Sequence, residues 1–272
     1  MPTQRQKADT FRALHERDTA FVIPNPWDVG SARLLSGLGF EALATTSAGF
    51  AHSIGRMDGE VARDEKLAHC EALCAATDVP ISADLENGYS DDPATAAQIV
   101  TLAARSGLVG GSIEDYCPTG EGAIYEFEHA VERVVAAVEV ARGLDFPFVL
   151  TARAEGLIRG ERDLEPIIRR LQAFEAAGAD VLYAPGLRTL EQLRQVASEV
   201  SKPLNVLAPP FKGASVDELS QAGATRISLG GALARAVLAT LIEAGEQMLG
   251  KGTFDWTRKV ASDKQLSALF EQ

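Results

Sequence analysis

Short apolar runs alternate with longer amphipathic stretches along most of the chain. Eight runs rich in β-branched and apolar residues have the length of strands, at residues 21–24, 42–47, 80–86, 110–114, 148–155, 180–184, 203–208 and 225–230. Stretches rich in Ala, Leu, Glu and Arg lie between many of them, at 92–106, 126–143, 164–177, 189–200 and 216–222. Because this alternation is typical of parallel sheets and spans about 210 residues, it predicts a (β/α)8 TIM barrel. A doubly wound sheet is the alternative, weakened because no GxGxxG motif follows the first run.

Local signals mark where several of the helices begin and end. Ala-Gly-Ala occurs at 177–179 and again at 222–224, each time between a helical stretch and a strand. Gly178 and Gly223 are therefore expected to end helices in the left-handed conformation. Asp92, followed by a proline, and Ser215 have the character of N-cap residues.

The C-terminal part of the chain holds more helix than a minimal barrel needs. A helical stretch at 232–249 is followed by Gly250-Lys251-Gly252, which has the composition of a hinge. The apolar residues Trp256, Val260, Leu266 and Phe270 follow, so this helix is expected to pack on its own barrel or on a neighbour's. We therefore expect one barrel domain over 1–272, with a helical extension at 253–272.

Charge and composition narrow the classes of partner. The 272 residues carry a formal net charge of -12 and are 46% hydrophobic. An acidic balance disfavours nucleic acid and anionic membranes, because both need clustered Lys and Arg. The N-terminus lacks the apolar segment of a signal peptide, no apolar run approaches the length of a membrane span, and the three cysteines form no CxxC pair. A cytoplasmic protein is expected.

Carboxylates gather at the ends of two neighbouring strands. In the run 80–86, strand alternation places Ser82, Asp84 and Glu86 on one polar face that would point into the barrel. Ser112 and Glu114 repeat the arrangement at the end of the next strand. Since like charges so close together repel one another, a bound cation would stabilise them, and hard oxygen donors suit Mg²⁺ or Mn²⁺. The alternative is a set of acids satisfied by water or by arginine.

An arginine and an asparagine complete the polar end of the predicted barrel. Arg153 shares a strand face with Thr151 and Glu155, and a guanidinium beside a metal site is suited to binding a carboxylate or phosphonate. Alternatively, Arg153 pairs with Glu155 or Glu114 for a structural reason. Asn205 ends the seventh run, where it could orient a substrate or only cap a loop.

Two further segments are expected to lie at this end of the barrel as loops. Residues 47–58 are rich in small residues and bring Asp58 as a fourth carboxylate and His52 as a candidate acid or base. The Gly-rich stretch 115–122 is either a mobile lid or an ordinary connector. The remaining histidines, His15 among them, lie in helical patterns and are expected at the surface or as caps.

Several motifs in order along the chain resemble the isocitrate lyase/phosphoenolpyruvate mutase superfamily. They are Pro24-Asn25-Pro26-Trp27-Asp28, Thr46-Ser47-Ala48-Gly49, Asp84-Leu85-Glu86-Asn87-Gly88-Tyr89, Ile113-Glu114-Asp115 and Thr151-Ala152-Arg153. The resemblance covers nearly the whole chain. It implies a (β/α)8 barrel, a homotetramer built as a dimer of dimers with the last helix exchanged between neighbours, and binding of Mg²⁺ with a 2-oxo acid or its enolate.

The resemblance also implies roles for individual residues. Four carboxylates match the metal-binding positions, some of them acting through water: Asp84, Glu86, Glu114 and Asp58. Arg153 matches the arginine that binds the substrate carboxylate. The backbone N–H groups of Thr46, Ser47 and Ala48 match those that hold the pyruvyl oxygens, and Asn205 matches a family asparagine loosely.

Departures from the family pattern leave the reaction type open. The Lys-Lys/Arg-Cys-Gly-His loop of the lyases is absent, as are the mutase loop and the Glu or His that follows the sixth strand. Tyr116 and Glu121 are then candidate catalytic proton donors, together with His52 or a metal-bound water. The expected function is an Mg²⁺-dependent lyase that acts on a small 2-oxo or hydroxy di- or tricarboxylic acid through an enolate, by C–C cleavage or decarboxylation. Phosphonopyruvate-type P–C chemistry and a non-catalytic 2-oxo acid binder are the alternatives.

Overall fold

Eight parallel strands form the centre of the molecule in a computed structural model that describes residues 2–118 and 123–271. The strands are β1 (Phe21–Ile23), β2 (Leu43–Ala44), β3 (Ile81–Asp84), β4 (Gly110–Glu114), β5 (Val149–Arg153), β6 (Val181–Tyr183), β7 (Leu204–Leu207) and β8 (Arg226–Ser228). Their order in the sheet is β1-β8-β7-β6-β5-β4-β3-β2, and every neighbouring pair is parallel.

Contacts between β1 and β2 bring the two ends of the sheet together. The Ala44 N–H donates to the carbonyl oxygen of Pro24 at 3.0 Å. The side-chain amide of Asn25, just after β1, donates to the carbonyl oxygens of Ala44 and Thr45. The predicted (β/α)8 barrel is confirmed, although most strands are shorter than the apolar runs that predicted them.

Helices surround the barrel and separate its strands in sequence. They are α1 (Gln4–Leu14), α2 (Val29–Gly37), α3 (Ser47–Ser53), α4 (Arg63–Ala76), α5 (Pro93–Arg105), α6 (Phe127–Arg142), α7 (Leu164–Ala176), α8 (Leu190–Glu199), α9 (Val216–Gln221), α10 (Ala232–Lys251) and α11 (Asp263–Phe270). Phe11 and Leu14 of α1 are fully buried against Phe21, Val149 and Val181, the first residues of their strands. Helix α1 therefore covers the amino-terminal end of the barrel.

The helix-end signals have the predicted conformations. The Asp92 carboxylate accepts a hydrogen bond from the Thr95 N–H at 2.8 Å, and Gly178 and Gly223 have φ of 99° and 107°. One expectation was wrong, because residues 47–53 form helix α3 where a loop was predicted. Thr46 starts this helix as its N-cap, with its hydroxyl accepting from the N–H of Gly49 at 3.2 Å.

The C-terminal segment lies on its own chain. Gly252, with φ of 65°, ends α10, and α11 then packs on α2, where Arg33 donates to the carbonyl oxygen of Phe270. The exchange of this helix between subunits stays a prediction. Helix α10 exposes a row of apolar side chains to solvent: Val237, Leu241, Ile242 and Leu249. In the described part of the chain, no helix has the length and apolar character needed to cross a membrane.

Candidate active site

The predicted carboxylates lie at the carboxyl ends of β3 and β4. Asp84 ends β3, Glu114 ends β4, and Glu86 follows Asp84 in the connection to α5. The backbone holds Glu86 in the left-handed region, with φ of 54°, and its carbonyl oxygen accepts from the Glu114 N–H at 2.9 Å. A non-glycine residue pays about 1–3 kcal/mol for this conformation, so the surroundings of Glu86 impose it. Such strain is concentrated at functional sites.

Arg153, at the end of β5, lies among these acids. Its Nη1 is 3.5 Å from Asp84 Oδ1 and 3.4 Å from Glu114 Oε2, and its Nε donates to Glu155. The Glu155 side chain is fully buried, and its second oxygen is 3.3 Å from Nη2 of Arg159. The structural pairing of Arg153 with Glu155 and Glu114, considered from the sequence, is thus present. Its role as a substrate clamp stays a prediction.

Burial and mutual repulsion make it hard for all the acids to be ionised together. Burial, and next to it the charge of Asp84, raises the pKa of Glu86 to about 7. Burial also raises the pKa of Glu114 well above its usual value, although Arg153 acts against it. For Asp84 burial is outweighed by Arg153, Lys66 and a hydrogen bond from Ser47, so its pKa is lowered. Asp84, Glu86 and Glu114 outnumber the positive charges of Arg153 and Lys66, so the cluster lacks further positive charge.

A divalent cation would supply that charge, and the donor set suits it. Carboxylate oxygens at a strand-end cleft are the ligands that Mg²⁺ and Mn²⁺ prefer. Within residues 2–118 and 123–271, however, no three His, Cys, Asp or Glu side chains already surround one point as metal ligands. Arg153 sits between Asp84 and Glu114 and acts as their counter-ion. The acids therefore fit a cation in chemistry, provided that Arg153 gives up its place between them.

A small cavity of about 70 Å³ opens beside this cluster inside the carboxyl end of the barrel. Its described lining includes four residues singled out from the sequence: Thr46, Asp84, Arg153 and Asn205. The Ser47 hydroxyl adds a contact to the acid cluster by donating to Asp84 Oδ2 at 2.9 Å. Backbone N–H groups in the first turn of α3, where Ser47 and Ala48 lie, have no acceptor within the helix. The cavity thus places the carboxylate of Asp84 and the guanidinium of Arg153 together, beside Thr46 at the start of α3.

Comparison with known proteins assigns this site to a family. A family model described as phosphoenolpyruvate phosphomutase matches residues 11–249. The chain belongs to the phosphoenolpyruvate mutase family. The superfamily resemblance of its motifs is confirmed, and with it the expectation that the chain is an enzyme.

Three relatives of this family member show the range of chemistry around it. A crystal structure from Burkholderia cenocepacia J2315, assigned only to the broad class of lyase/mutase, is 48% identical, with a TM-score of 0.95 over 99% of this chain and 97% of that one. A 2,3-dimethylmalate lyase structure is 29% identical, with a TM-score of 0.84 over 99% and 95% of the two chains. The oxaloacetate decarboxylase of Paraburkholderia xenovorans is 31% identical over 217 residues, 76% of this chain and 70% of that one.

Some predicted site residues lie away from the centre of the site in this family member. Asp58 is exposed after α3, although its charge contributes to raising the pKa of Glu86. Tyr116 is not among the described residues that line the cavity, and its ring lies 3.5 Å from the guanidinium carbon of Arg159. Glu121, with most of the proposed lid tip, lies outside the described residues. The roles of these three residues stay predictions.

Asn205 lines the cavity but is already engaged on both sides of its amide. Its Nδ2 donates to the Ser228 hydroxyl at 3.0 Å, and its Oδ1 accepts from Arg226 Nε at 2.8 Å. The direct role of Asn205 in substrate binding stays a prediction. The structure shows in addition that Asn205 holds the side chain of Arg226.

Three residues of the site escaped the sequence argument. Lys66 of α4 is 1% exposed, its Nζ has no hydrogen-bond partner among the described residues, and its charge lowers the pKa of Asp84. Arg226 and Tyr183 line the cavity from β8 and β6. The signal for Lys66 was its spacing with Cys70 and other buried residues on one face of α4.

Of the three histidines expected at the surface or as caps, His15 and His69 are buried, and His15 is also the C-cap residue of α1. His15 is 8% exposed and lies edge-on between the rings of Phe11 and Phe21. Burial, followed by the nearby charge of Arg226, lowers the pKa of His15 to about 3. His15 is therefore neutral at physiological pH. The helical pattern around it did not reveal that this end of α1 closes the barrel.

Proposed function

We propose that this chain is a Mg²⁺-dependent carbon–carbon lyase, or decarboxylase, of a small 2-oxo or hydroxy dicarboxylic acid. The observation that carries the proposal is the meeting of Asp84, Glu114 and Arg153 within 3.5 Å at the mouth of the barrel cavity. Relatives at 29% and 31% identity are named 2,3-dimethylmalate lyase and oxaloacetate decarboxylase, and both names describe loss of a carbon fragment from a dicarboxylate.

Asp84, Glu86 and Glu114 are the residues that would hold Mg²⁺ or Mn²⁺, with Asp58 acting through water. When bound, the ion supplies Lewis-acid stabilisation of the negative charge that develops on the oxo oxygen. Two acids whose pKa burial raises, Glu86 and Glu114, would then be ionised at lower cost.

Arg153 and the start of α3 provide the remaining charge complementarity. Once its acid partners turn to the cation, the Arg153 fork is free to bind a substrate carboxylate in a bidentate manner. The backbone N–H groups of Thr46, Ser47 and Ala48 would donate to the pyruvyl oxygens, where they stabilise charge most strongly as the bond breaks. The hydroxyl of Ser47 meanwhile fixes the orientation of Asp84.

The reaction must end with a proton transfer to carbon. When a 2-oxo dicarboxylate loses CO2, the electron pair of the broken C–C bond stays with the oxo acid fragment as an enolate, and a general acid then protonates the carbon. When a 2-hydroxy acid is cleaved instead, a base removes the hydroxyl proton, the hydroxyl carbon becomes the oxo group, and the electron pair leaves with the other carboxylate fragment, which is then protonated at carbon. Tyr116 and Glu121 are the candidate donors of this chain. Tyr116 is connected to the centre through side chains, since Arg159 stacks on its ring and pairs with Glu155, which holds Arg153.

Phosphonopyruvate-type P–C chemistry is the second candidate function. The match to a family model described as phosphoenolpyruvate phosphomutase favours it. A phosphonate and a carboxylate present similar oxyanions, so the guanidinium of Arg153 is suited to binding either.

The test is a turnover screen with oxaloacetate, 2-methylisocitrate, 2,3-dimethylmalate and phosphonopyruvate, each in Mg²⁺ and in EDTA. Mg²⁺-dependent release of a carbon fragment supports the lyase. If phosphonopyruvate is the only one of these acids that is converted, the function is instead P–C chemistry. Thermal stabilisation by these acids without any turnover would identify a non-catalytic binder and refute the proposed activity.

A further inference from the structure

A second arginine lies deeper in the barrel than Arg153. Arg226 starts β8, is 5% exposed, and borders the same cavity. Its Nη2 donates to the Thr151 hydroxyl at 2.9 Å, so its guanidinium reaches across the interior to β5. Thr151 comes two residues before Arg153 on that strand. The Arg226 guanidinium therefore lies below Arg153, nearer the amino end of the barrel.

The partners of Arg226 are neutral. Nε donates to Asn205 Oδ1 at 2.8 Å, and Nη1 is 3.3 Å from His15 Nε2. His15 Nδ1 lies 2.8 Å from the carbonyl oxygen of Phe11, so Nδ1 carries the ring proton and Nε2 accepts from the arginine. Burial lowers the pKa of Arg226 to about 10, which still leaves it charged at neutral pH.

No ion pair among the described residues includes Arg226, in contrast to Arg153 with its three carboxylate neighbours. A buried charge without a counter-charge is costly, and proteins keep one mainly where a ligand or partner supplies the opposite sign. Three of the five N–H groups of Arg226 have described partners. The remaining two are one on each terminal nitrogen, the pair with which arginine binds a carboxylate.

We propose that Arg226 is a substrate-binding residue that takes one carboxylate of a dicarboxylate at the inner end of the cavity. The inference rests on the proposed function for the class of substrate. It adds that the enzyme selects dianions over monoanions of the same size, because only a second carboxylate neutralises Arg226. Thr151 and Asn205 act as positioning residues that hold the guanidinium in place.

The experiment compares malonate with its monomethyl ester, which has one more methyl group and one charge fewer. Dissociation constants are measured by calorimetry at one fixed Mg²⁺ concentration for the wild type, Arg226→Met and Arg226→Lys. Arg142→Met is the matched control, because it removes one positive charge from a half-exposed arginine that pairs with Asp180 near the start of β6. Malonate also chelates Mg²⁺ in solution, but this affects the measurements on all four proteins equally.

We expect the wild type and Arg142→Met to bind malonate at least about tenfold more tightly than the ester, as a charge-assisted pair implies. Arg226→Met should lose this preference to within about twofold while keeping its affinity for the ester. Arg226→Lys should retain part of it. If Arg226→Met does not fold, the test rests on Arg226→Lys. Because lysine cannot bind a carboxylate in the bidentate manner of arginine, this variant should bind malonate more weakly while its affinity for the ester stays the same.

Other results overturn the inference. An unchanged malonate preference in Arg226→Met, or an equal loss of affinity for both ligands, would show that Arg226 is structural. The same conclusion would follow if the wild type bound malonate and the ester with equal affinity. A wild type that prefers malonate through Arg226 but converts no acid in the turnover screen would refute the lyase function and leave the role of Arg226 standing.

Discussion

Replacing Arg153 by Met should destabilise the metal-free protein strongly and make it depend on Mg²⁺. Two unit charges 3.5 Å apart, the distance between Arg153 Nη1 and Asp84 Oδ1, interact by about 5 kcal/mol at an effective dielectric constant of 20, but desolvation offsets much of this. Breaking a buried pair by removing one partner costs about 3–5 kcal/mol, because the other charge is left without compensation. Since burial already favours protonated Glu114, Asp84 and Glu155 carry most of the loss.

The assay is urea unfolding of the wild type and Arg153→Met, in EDTA and in saturating Mg²⁺. We expect the variant to lose about 3–5 kcal/mol of unfolding free energy in EDTA and to recover part of it in Mg²⁺, which takes over the role of counter-ion. Arg142→Met is again the control. Its pair with Asp180 is half-exposed, so the loss should stay below about 1 kcal/mol and should not respond to Mg²⁺.

A loss below about 1 kcal/mol in EDTA for Arg153→Met would refute this reasoning, since a buried counter-ion cannot be removed so cheaply. The conservative variant separates stability from catalysis. Arg153→Lys keeps the charge but not the fork, so kcat/KM should fall by about 30-fold, or ~2 kcal/mol. A value within about twofold of the wild type would mean that Arg153 serves the structure alone.

Four further outcomes follow from the site and the surface. Asp84→Ala should abolish Mg²⁺ binding by calorimetry and all turnover; undiminished metal affinity would remove Asp84 from the ligand set. Lys66→Met should tighten Mg²⁺ binding by about tenfold, because it removes a buried positive charge close to the acids; weaker binding would contradict this reasoning. Malonate should bind more weakly in EDTA than in Mg²⁺, because the metal-free mouth of the cavity is acidic; equal affinities would count against that. The protein should be a homotetramer by light scattering, and the double variant Leu241→Glu, Ile242→Glu on the exposed face of α10 should dissociate it; a wild-type monomer at micromolar concentration would end that expectation.

The residues that gather at the strand ends were predictable because the alternation of side chains between the two faces of a strand depends only on neighbouring residues. Asp84 and Glu86 are two residues apart, and parallel strands bring their carboxyl ends to one rim, so sequence sufficed to gather Asp84, Glu114 and Arg153. The conformation of Glu86 was not accessible in this way. Its positive φ is imposed by contacts with β4, which no local preference of glutamate encodes.

Residues whose role depends on distant partners were missed. His15 and Arg226 are 211 positions apart in sequence and meet only because α1 covers the amino end of the barrel. Nothing in the pattern of β8 distinguishes an arginine that points inward from one that lies at the surface. Helix α3 was missed for a different reason, because its seven residues are too few to show a helical period.

Arg153 at the mouth of the cavity and Arg226 at its floor have different electrostatic surroundings. Arg153 has three carboxylate neighbours, while the hydrogen-bond partners of Arg226 within the described residues are all neutral. An anion that approaches the metal-free cavity therefore meets repulsion at the mouth before it can reach the attractive floor. A divalent cation among Asp84, Glu86 and Glu114 would reverse the sign of the mouth and release Arg153. The same acids that make the metal-free site unfavourable to an anion would thus make metal binding the step that admits a dicarboxylate.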